Sequence, residues 1–339
     1  MKLFSFNLKL SLRNIVRFRK YSVLNLIGLS IGMATTILIL LWVYNELSYD
    51  RFHKNIDKLY RVVQDQHYSG RDVFHVTVTP TGIYYILNEE FPEIEHATRY
   101  NDVTFLLQHD DKSFVEQVHL VDPEFLQMFS FPLIKGNPET ALANLHSIIL
   151  TEEMAEKFFD TNEALGEQIV FDDNHVFTVT GIIKKPPSNS HIWFNYLIPF
   201  EFYKEIGVDI QSFDNNFIRT YAELVDGTSM DEMNEKLIAY QKDNEPERTD
   251  FRYLQPVKDI HLRWLGGGGP IQNIRLFSLI AGLILIIAAI NFINLSTVNL
   301  LENGDIDSVQ ISEDFTLSVG SAVFDVREAI LEQDRIYVY

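Results

Sequence analysis

Hydrophobic and polar positions divide this 339-residue chain into three regimes. Two runs carry no charged side chain, Tyr21 to Asn45 and Leu276 to Leu301. As helices of 25 and 26 residues they would extend ~37–39 Å at about 1.5 Å per residue. The hydrocarbon core of a bilayer is about 30 Å thick, so both runs are expected to span a membrane with some tilt. The first is too long for the apolar region of a cleaved leader, and no small-residue cleavage pattern precedes Glu46. Between the runs the apolar spacing shortens. Strands are predicted at Leu59–Gln66, Val73–Thr79, Val115–Val121, Gln168–Phe171, His175–Ile183, Ile218–Leu224 and Arg252–Val257. Helical spacing covers Pro80–Glu90, the stretch from Thr151 through Phe159, and Met230–Tyr240. Short strands interleaved with single helices predict an α+β domain, built as two subdomains, between two transmembrane α-helices.

Local chemistry sharpens these boundaries. Asp122 followed by Pro123 reads as a helix N-cap with proline in the first turn, and Thr151 followed by Glu152 and Glu153 as another. Asp172-Asp173-Asn174 reads as a hairpin turn rather than a calcium loop. Lys185–Ser190, with two prolines, reads as a loop. Gly266, Gly267, Gly268 and Gly269 followed by Pro270 read as a hinge, with a tolerant surface linker as the plainer alternative. The expected organisation is a basic amphipathic segment at 1–20, spans at 21–45 and 276–301, an outer domain at 46–275, and an acidic tail at 302–339.

Charge then gives a direction. The chain carries 47 acidic and 28 basic side chains, a net charge of −19, which disfavours a nucleic-acid partner because a phosphate backbone needs a basic face. Residues 1–20 hold six basic side chains and no acid, whereas 46–275 hold 20 basic and 38 acidic ones. By the positive-inside rule the N-terminus is expected to be cytoplasmic and the large domain to lie outside. The tail has two basic and nine acidic side chains and adds no such signal. Lys9, Arg13, Arg17 and Lys20 fall on one helical stripe, with Arg19 beside them, and Leu8, Leu12, Ile15 and Phe18 on an adjoining one. This is a candidate surface for anionic lipid or for a cytoplasmic partner. In the spans, Gly28 and Gly32 form a small-residue pair that admits close approach of another helix. Asn291 and Asn294 share a face where buried amides seek interhelical hydrogen bonds.

Catalytic chemistry is thin. The chain has no cysteine and ten histidines, which removes thiolate nucleophiles, iron–sulfur clusters and disulfides. There is no phosphate-binding loop and no His-Glu-x-x-His. Ser188 and His191 lie close together without a nucleophile-elbow pattern. The pairs Glu89-Glu90, Asp110-Asp111 and Glu152-Glu153 read as solvated faces, and a lone histidine such as His261 as structural. No catalytic, cofactor or metal site is expected.

An ordered set of strings carries more information. Ser11-Leu12-Arg13-Asn14 precedes the first span, Leu24-Asn25-Leu26-Ile27-Gly28-Leu29-Ser30-Ile31-Gly32 opens it, and Asn45-Glu46-Leu47-Ser48-Tyr49-Asp50-Arg51-Phe52-His53 closes it. Val121–Phe125, Phe177–Gly181, Pro187–His191, Asp259–Leu262 and Ala289–Thr297 follow. In this order and spacing, over residues 1 to about 300, the chain resembles the permease subunits of ABC transporters of the MacB/FtsX type. The resemblance implies a multi-pass protein of the bacterial inner membrane whose periplasmic domain is made of Porter-like and Sabre-like subdomains. It also implies a partner ATPase on the cytoplasmic side, a homodimer or paired permease, a role for a periplasmic adaptor, and mechanotransmission or export without enzymatic activity in the permease itself. The family pattern continues past the second span with a basic segment and two further spans. The acidic stretch Glu302–Tyr339 departs from it, so the chain reads as a permease subunit that transmits ATP-driven motion, or as a form truncated after the second span that keeps its outer domain without coupling to an ATPase. A two-span membrane sensor with a ligand-binding outer domain is the alternative.

Overall fold

The computed structural model describes residues 19–302, 316–319 and 322–325. Two helices dominate its ends, α1 (Arg19–Leu47) and α6 (Pro270–Glu302). Each contains a 22-residue stretch, Leu26–Leu47 and Pro270–Asn291, long and apolar enough to cross a membrane. Both helices run past the charge-free segments. The second starts at Pro270 and includes Arg275, so the proline expected in the hinge is the first residue of the helix, where its missing N–H costs nothing. The chain divides into two units, Ile37–Ala281 and a second one formed by Met1–Thr36 with Gly282–Tyr339. In the second unit a two-stranded antiparallel ribbon, Thr316–Val319 with Ala322–Asp325, is described within the acidic tail.

The unit Ile37–Ala281 holds an eleven-stranded sheet. Its strands are β1 (Leu59–Gln66), β2 (Phe74–Val76), β3 (Ile94–His109), β4 (Lys112–Val121), β5 (Leu133–Lys135), β6 (Ser147–Thr151), β7 (Gln168–Phe171), β8 (His175–Ile183), β9 (Tyr196–Pro199), β10 (Arg219–Leu224) and β11 (Asp250–Pro256). The path runs β11-β1-β10-β3-β4-β9-β6-β8-β5, with β2 on β1 and β7 bridging β3 and β8. Pairing is antiparallel except for β4 with β9 and β6 with β8. The helices between are α2 (Ile83–Glu90), α3 (Phe125–Met128), α4 (Glu152–Phe159) and α5 (Met230–Asn244).

Sixteen-residue β3 is the spine, pairing with β10 over Ile94–Tyr100, with β4 over Tyr100–His109 and with β7 at Leu107 and Gln108. The strand path is continuous, and the two halves of the domain are marked instead by their cores. One cluster joins β1, β10 and β11 to α2 and α5 through Val62, Leu87, Ala222, Leu237 and Leu254. Another fills the β4–β9 half, with Leu120, Phe158, Phe171, Phe177, Tyr196 and Phe202. A third gathers Phe125, Phe129, Phe131 and Phe194, with ring centroids 5.0–6.3 Å apart.

Several expected boundaries shift for identifiable reasons. The strand expected at Val73–Thr79 contracts to β2, leaving a single bridge from Thr79 to Ile218. The helix expected from Pro80 starts at Ile83, because the Thr81 hydroxyl donates to the carbonyls of Asp209 and Ser212 and the Gly82 N–H to Ser212. Asp122 is not a side-chain cap, and the residue flanking α3 is Glu124. Thr151 does precede α4, but its hydroxyl makes no capping hydrogen bond. The turn at Asp172 and Asp173 is as expected, with φ of 46° and 61° and the Asn174 N–H donating to the Phe171 carbonyl. Aspartate is one of the few L-residues that visit this left-handed region at modest cost.

The Asp122 carboxylate is spent on Arg99. Both are buried, and the carboxylate accepts from Arg99 Nη2 at 2.6 Å, Nε at 3.0 Å and the backbone N–H at 2.6 Å. Arg99 Nη1 donates to the Ile210 carbonyl, and the guanidinium lies 4.0 Å from the Phe200 ring centroid and 4.2 Å from that of Tyr84. Burial alone would lower the Arg99 pKa. The hydrogen bonds and charge of Asp122 overcome it and raise the pKa above the ordinary arginine value. Two buried histidines titrate the other way. Burial pushes His119, stacked on Tyr100, and His53, edge-on to Phe129, down to about 4 each.

Breaking one side of a buried pair strands the other charge. Asp122→Ala is therefore expected to cost about 3–5 kcal/mol, and the double replacement Arg99→Met with Asp122→Leu clearly less. Denaturant titration of the full chain in detergent measures both. The histidines set the acid limb. Their folded pKa lies below the ordinary value of 6.5, so between pH 6.5 and 4 the unfolded chain binds more protons. Stability is complete above pH 6.5 and falls as pH drops toward 4, by at most ~3 kcal/mol per histidine. His119→Phe should flatten that slope in melting temperatures measured against pH.

Candidate functional site

Where α1 leaves its apolar stretch, the chain turns through Ser48–His53 and is fastened to the outer domain. Asp50 sits at the centre, fully buried and with φ of 59°. Its backbone N–H donates to the Asn189 carbonyl at 2.9 Å. Its carboxylate Oδ1 accepts from the His191 backbone N–H at 3.0 Å and stands 2.8 Å from His191 Nδ1. The far ring nitrogen of His191 is 3.1 Å from the Tyr221 hydroxyl. Burial pushes that phenol up to about 12, so it keeps its proton and can donate to Nε2. Nδ1 lies beside the Asp50 carboxylate without an aligned hydrogen bond. Asn189 completes the clasp, donating from Nδ2 to the Ser48 carbonyl at 3.0 Å and to Ser48 Oγ at 2.9 Å.

A second fastening lies alongside. Glu46, still within α1, meets His261 Nε2 at 2.6 Å, and the Tyr49 ring stacks on His261 with centroids 3.5 Å apart and planes 5° from parallel. His261 follows β11 and precedes α6, so one histidine joins the end of the first apolar helix to the segment leading into the second. Val43, Leu262 and Ile274 form a small cluster beside it, and Trp42 meets Phe277 edge-on at 5.2 Å. Below, Phe52 and His53 enter the aromatic cluster, with His53 5.1 Å from both Phe129 and Phe131. His53 Nδ1 accepts the Ser130 N–H at 3.0 Å, and Ser130 Oγ accepts the Lys54 N–H at 2.9 Å.

The glycines expected to form a hinge occupy the turn between His261 and α6. Gly266, Gly267, Gly268 and Gly269 have φ of 79°, 102°, 85° and 102°. A Cβ on Gly269 would stand 2.6 Å from the Leu262 carbonyl oxygen. The turn is hydrogen-bonded at Gly267 to Trp264, at Ile271 to Leu262 and at Gln272 to Gly269. It is a defined backbone path that glycine alone follows without strain.

The other candidate residues are placed unevenly. In the unit formed by the chain's two ends, a Cβ on Gly28 would lie 3.3 Å from Asn291 Nδ2, and one on Gly32 would lie 3.0 Å from Ala288 Cβ. The two small residues and Asn291 are thus brought together. The side chain of Asn294 lies outside the described residues, as do Lys9, Arg13 and Arg17. Arg19 and Lys20 open α1, and their side chains are not described. Ser188 and His191 do not form a nucleophile–base pair, since the imidazole is committed to Asp50 and Tyr221.

Asp50, Asn189, His191, Tyr221, Glu46 and His261 were not anticipated as a site, although five of them fall in strings that carry the family resemblance. His146, His175 and Glu205 are also brought within 4.8 Å of one another, a grouping that no sequence spacing signals. Among the described residues, a gap with room for about one water is lined by Val62, Leu87 and Leu237, and an open cleft of about 580 Å³ lies beside Phe213 and Tyr240.

The model of the MacB-like periplasmic core domain matches residues 22–240. No curated protein matches. Among solved structures, a domain ascribed to a permease protein of Porphyromonas gingivalis is similar at 22% identity and a TM-score of 0.53, over 60% of this chain and 91% of that one. The periplasmic region of MacB from Actinobacillus actinomycetemcomitans is 14% identical with a TM-score of 0.46, over 61% of this chain and 94% of that one. The extracellular domain of the noncanonic ABC-type transporter YknZ from Gram-positive bacteria is 10% identical with a TM-score of 0.44, over 58% and 99%. The family match covers more than half of the chain and the first of these structures shares its fold, so the chain belongs to the family of proteins with a MacB-like periplasmic core domain, here flanked by two helices apolar enough to cross a membrane.

Proposed function

We propose that the chain is the permease subunit of an ABC transporter, passing ATP-driven motion of a partner ATPase through its spans to the periplasmic domain, for export or for work outside the membrane. The observation that carries this reading is the double fastening at the end of α1. A helix meant only as an anchor needs no buried contact with the domain it tethers. Here the Asp50–His191–Tyr221 chain, the Asn189–Ser48 bonds and the Glu46–His261 pair leave no slack residue in which a tilt or shift of α1 would dissipate. Glu46–His261 also ties that helix end to the segment preceding α6. Displacement of either span is then delivered to the β-sheet as a rigid-body motion.

The same reading gives roles to the remaining candidates. Lys9, Arg13, Arg17, Arg19 and Lys20 would meet inner-leaflet lipid or the ATPase. Gly28, Gly32, Asn291 and Asn294 would serve packing between spans, within one chain or across a dimer, and a periplasmic adaptor would meet the outer domain.

Isolated from native membranes in mild detergent, the intact protein is expected to bring an ABC ATPase with it, and its recovery without any ATPase overturns the proposal. In that complex, ATP should change the tryptic cleavage pattern of the outer domain. The double variant Asp50→Asn with Asn189→Ala keeps the backbone at residue 50, because asparagine tolerates the left-handed region. It should retain the ATPase and lose most of the ATP-dependent change. A response equal to the parent's would show that the motion takes another path.

A further inference from the structure

His146, His175 and Glu205 lie about thirty residues apart in sequence and meet on the outer domain beside Phe202. His146 Nε2 is 2.8 Å from Glu205 Oε2, and His175 Nδ1 is 3.4 Å from the same oxygen. All three donor atoms fall within 4.8 Å of one another. We propose that these side chains form a binding site for one divalent transition-metal ion of the zinc or copper class, with a coordination position left open.

Three observations converge on it. The donor set is right, because two imidazoles and a carboxylate suit zinc, copper and nickel, whereas magnesium and calcium want oxygen alone. The spacing is nearly right. Bonds of about 2.0–2.2 Å in a tetrahedral arrangement place donor atoms about 3.3 Å apart, and the two glutamate-to-histidine separations bracket that value. The third separation, between the two imidazoles, is within 4.8 Å.

The ligands are also held from behind. Buried Phe202 lies edge-on to both imidazoles, with centroids 6.0 Å from His146 and 5.0 Å from His175, and buried Phe177 lies 5.4 Å from His146. The backbone of each ligand is fixed: the His146 carbonyl accepts the Thr178 N–H, His175 pairs with Phe171 across the β7–β8 hairpin, and the Glu205 N–H donates to the Phe202 carbonyl. In the metal-free arrangement the Glu205 Oε2 faces both imidazoles. A bound cation satisfies all three groups at once and joins the start of β6, the β7–β8 hairpin and the turn after Phe200–Lys204.

The test uses the full chain, untagged and in detergent, after metal removal with a chelator. Calorimetric titration with ZnCl2 should show one saturable site per chain, with a rise in melting temperature. Copper(II) bound at the same stoichiometry should give an electron paramagnetic resonance spectrum with hyperfine structure from two imidazole nitrogens. His146→Ala, His175→Ala and Glu205→Gln should each weaken zinc at least ~tenfold while leaving the melting temperature of the metal-free protein unchanged. His67→Ala, at an exposed histidine elsewhere, should leave binding intact. Absence of a saturable site, or binding that survives all three replacements, overturns the proposal.

Discussion

The pairing of Arg99 with Asp122 is the constraint around which the outer domain is arranged. A guanidinium without solvent exposure is tolerable only when its donors are answered and its charge balanced. Meeting those demands fixes the start of β3 against the end of β4, draws the Ile210 carbonyl inward, and lays Tyr84 of α2 and Phe200 on the two sides of the cation. The elements so gathered come from both halves of the domain. Hydrophobic burial supplies most of the stabilisation and sets strand register within each half, but it constrains the orientation of one half against the other less sharply. The ion pair is directional, and it selects one alignment of the halves.

The junction with α1 uses the same logic at smaller scale. Asp50 is buried beside His191 rather than arginine, with Tyr221 behind, so the polar chain reaches from the helix end to β10 in the middle of the sheet. The aromatic cluster under Phe52 and His53 gives the turn an apolar footing, and the histidine–glutamate pair at His261 adds a second point of attachment. Two separated attachments resist rotation as well as translation, which one cannot do.

Much of this architecture was legible in the sequence where one signal dominated. β1, β7 and β8 fall at their expected residues, because β-branched and aromatic runs were bounded by turn-forming residues, Asp172–Asn174 above all. The strand that matters most, β3, gave no such signal. Its 16 residues include Arg99, Asn101 and Asp102, whose partners Asp122, Tyr203 and Gln117 lie further along the chain, and local periodicity cannot register a partner. Asp122 was misjudged for the same reason, since Asp-Pro before an apolar run looks like a helix start until the arginine is seen. β6 and β9 are five and four residues long and wholly buried, too short for alternation to appear. The junction residues were visible as strings of a family pattern but not as a site, because their contacts span some 140 residues of chain. His146, His175 and Glu205 were invisible, being drawn from three elements that only the folded sheet sets side by side.

The four-glycine turn before α6 has a consequence for which sequences can carry this fold. Positive φ at four successive positions is a path on which any side chain with a Cβ is strained, and at Gly269 that Cβ would also meet the Leu262 carbonyl oxygen at 2.6 Å. A substitution there displaces the backbone that leads into α6 rather than merely altering a surface.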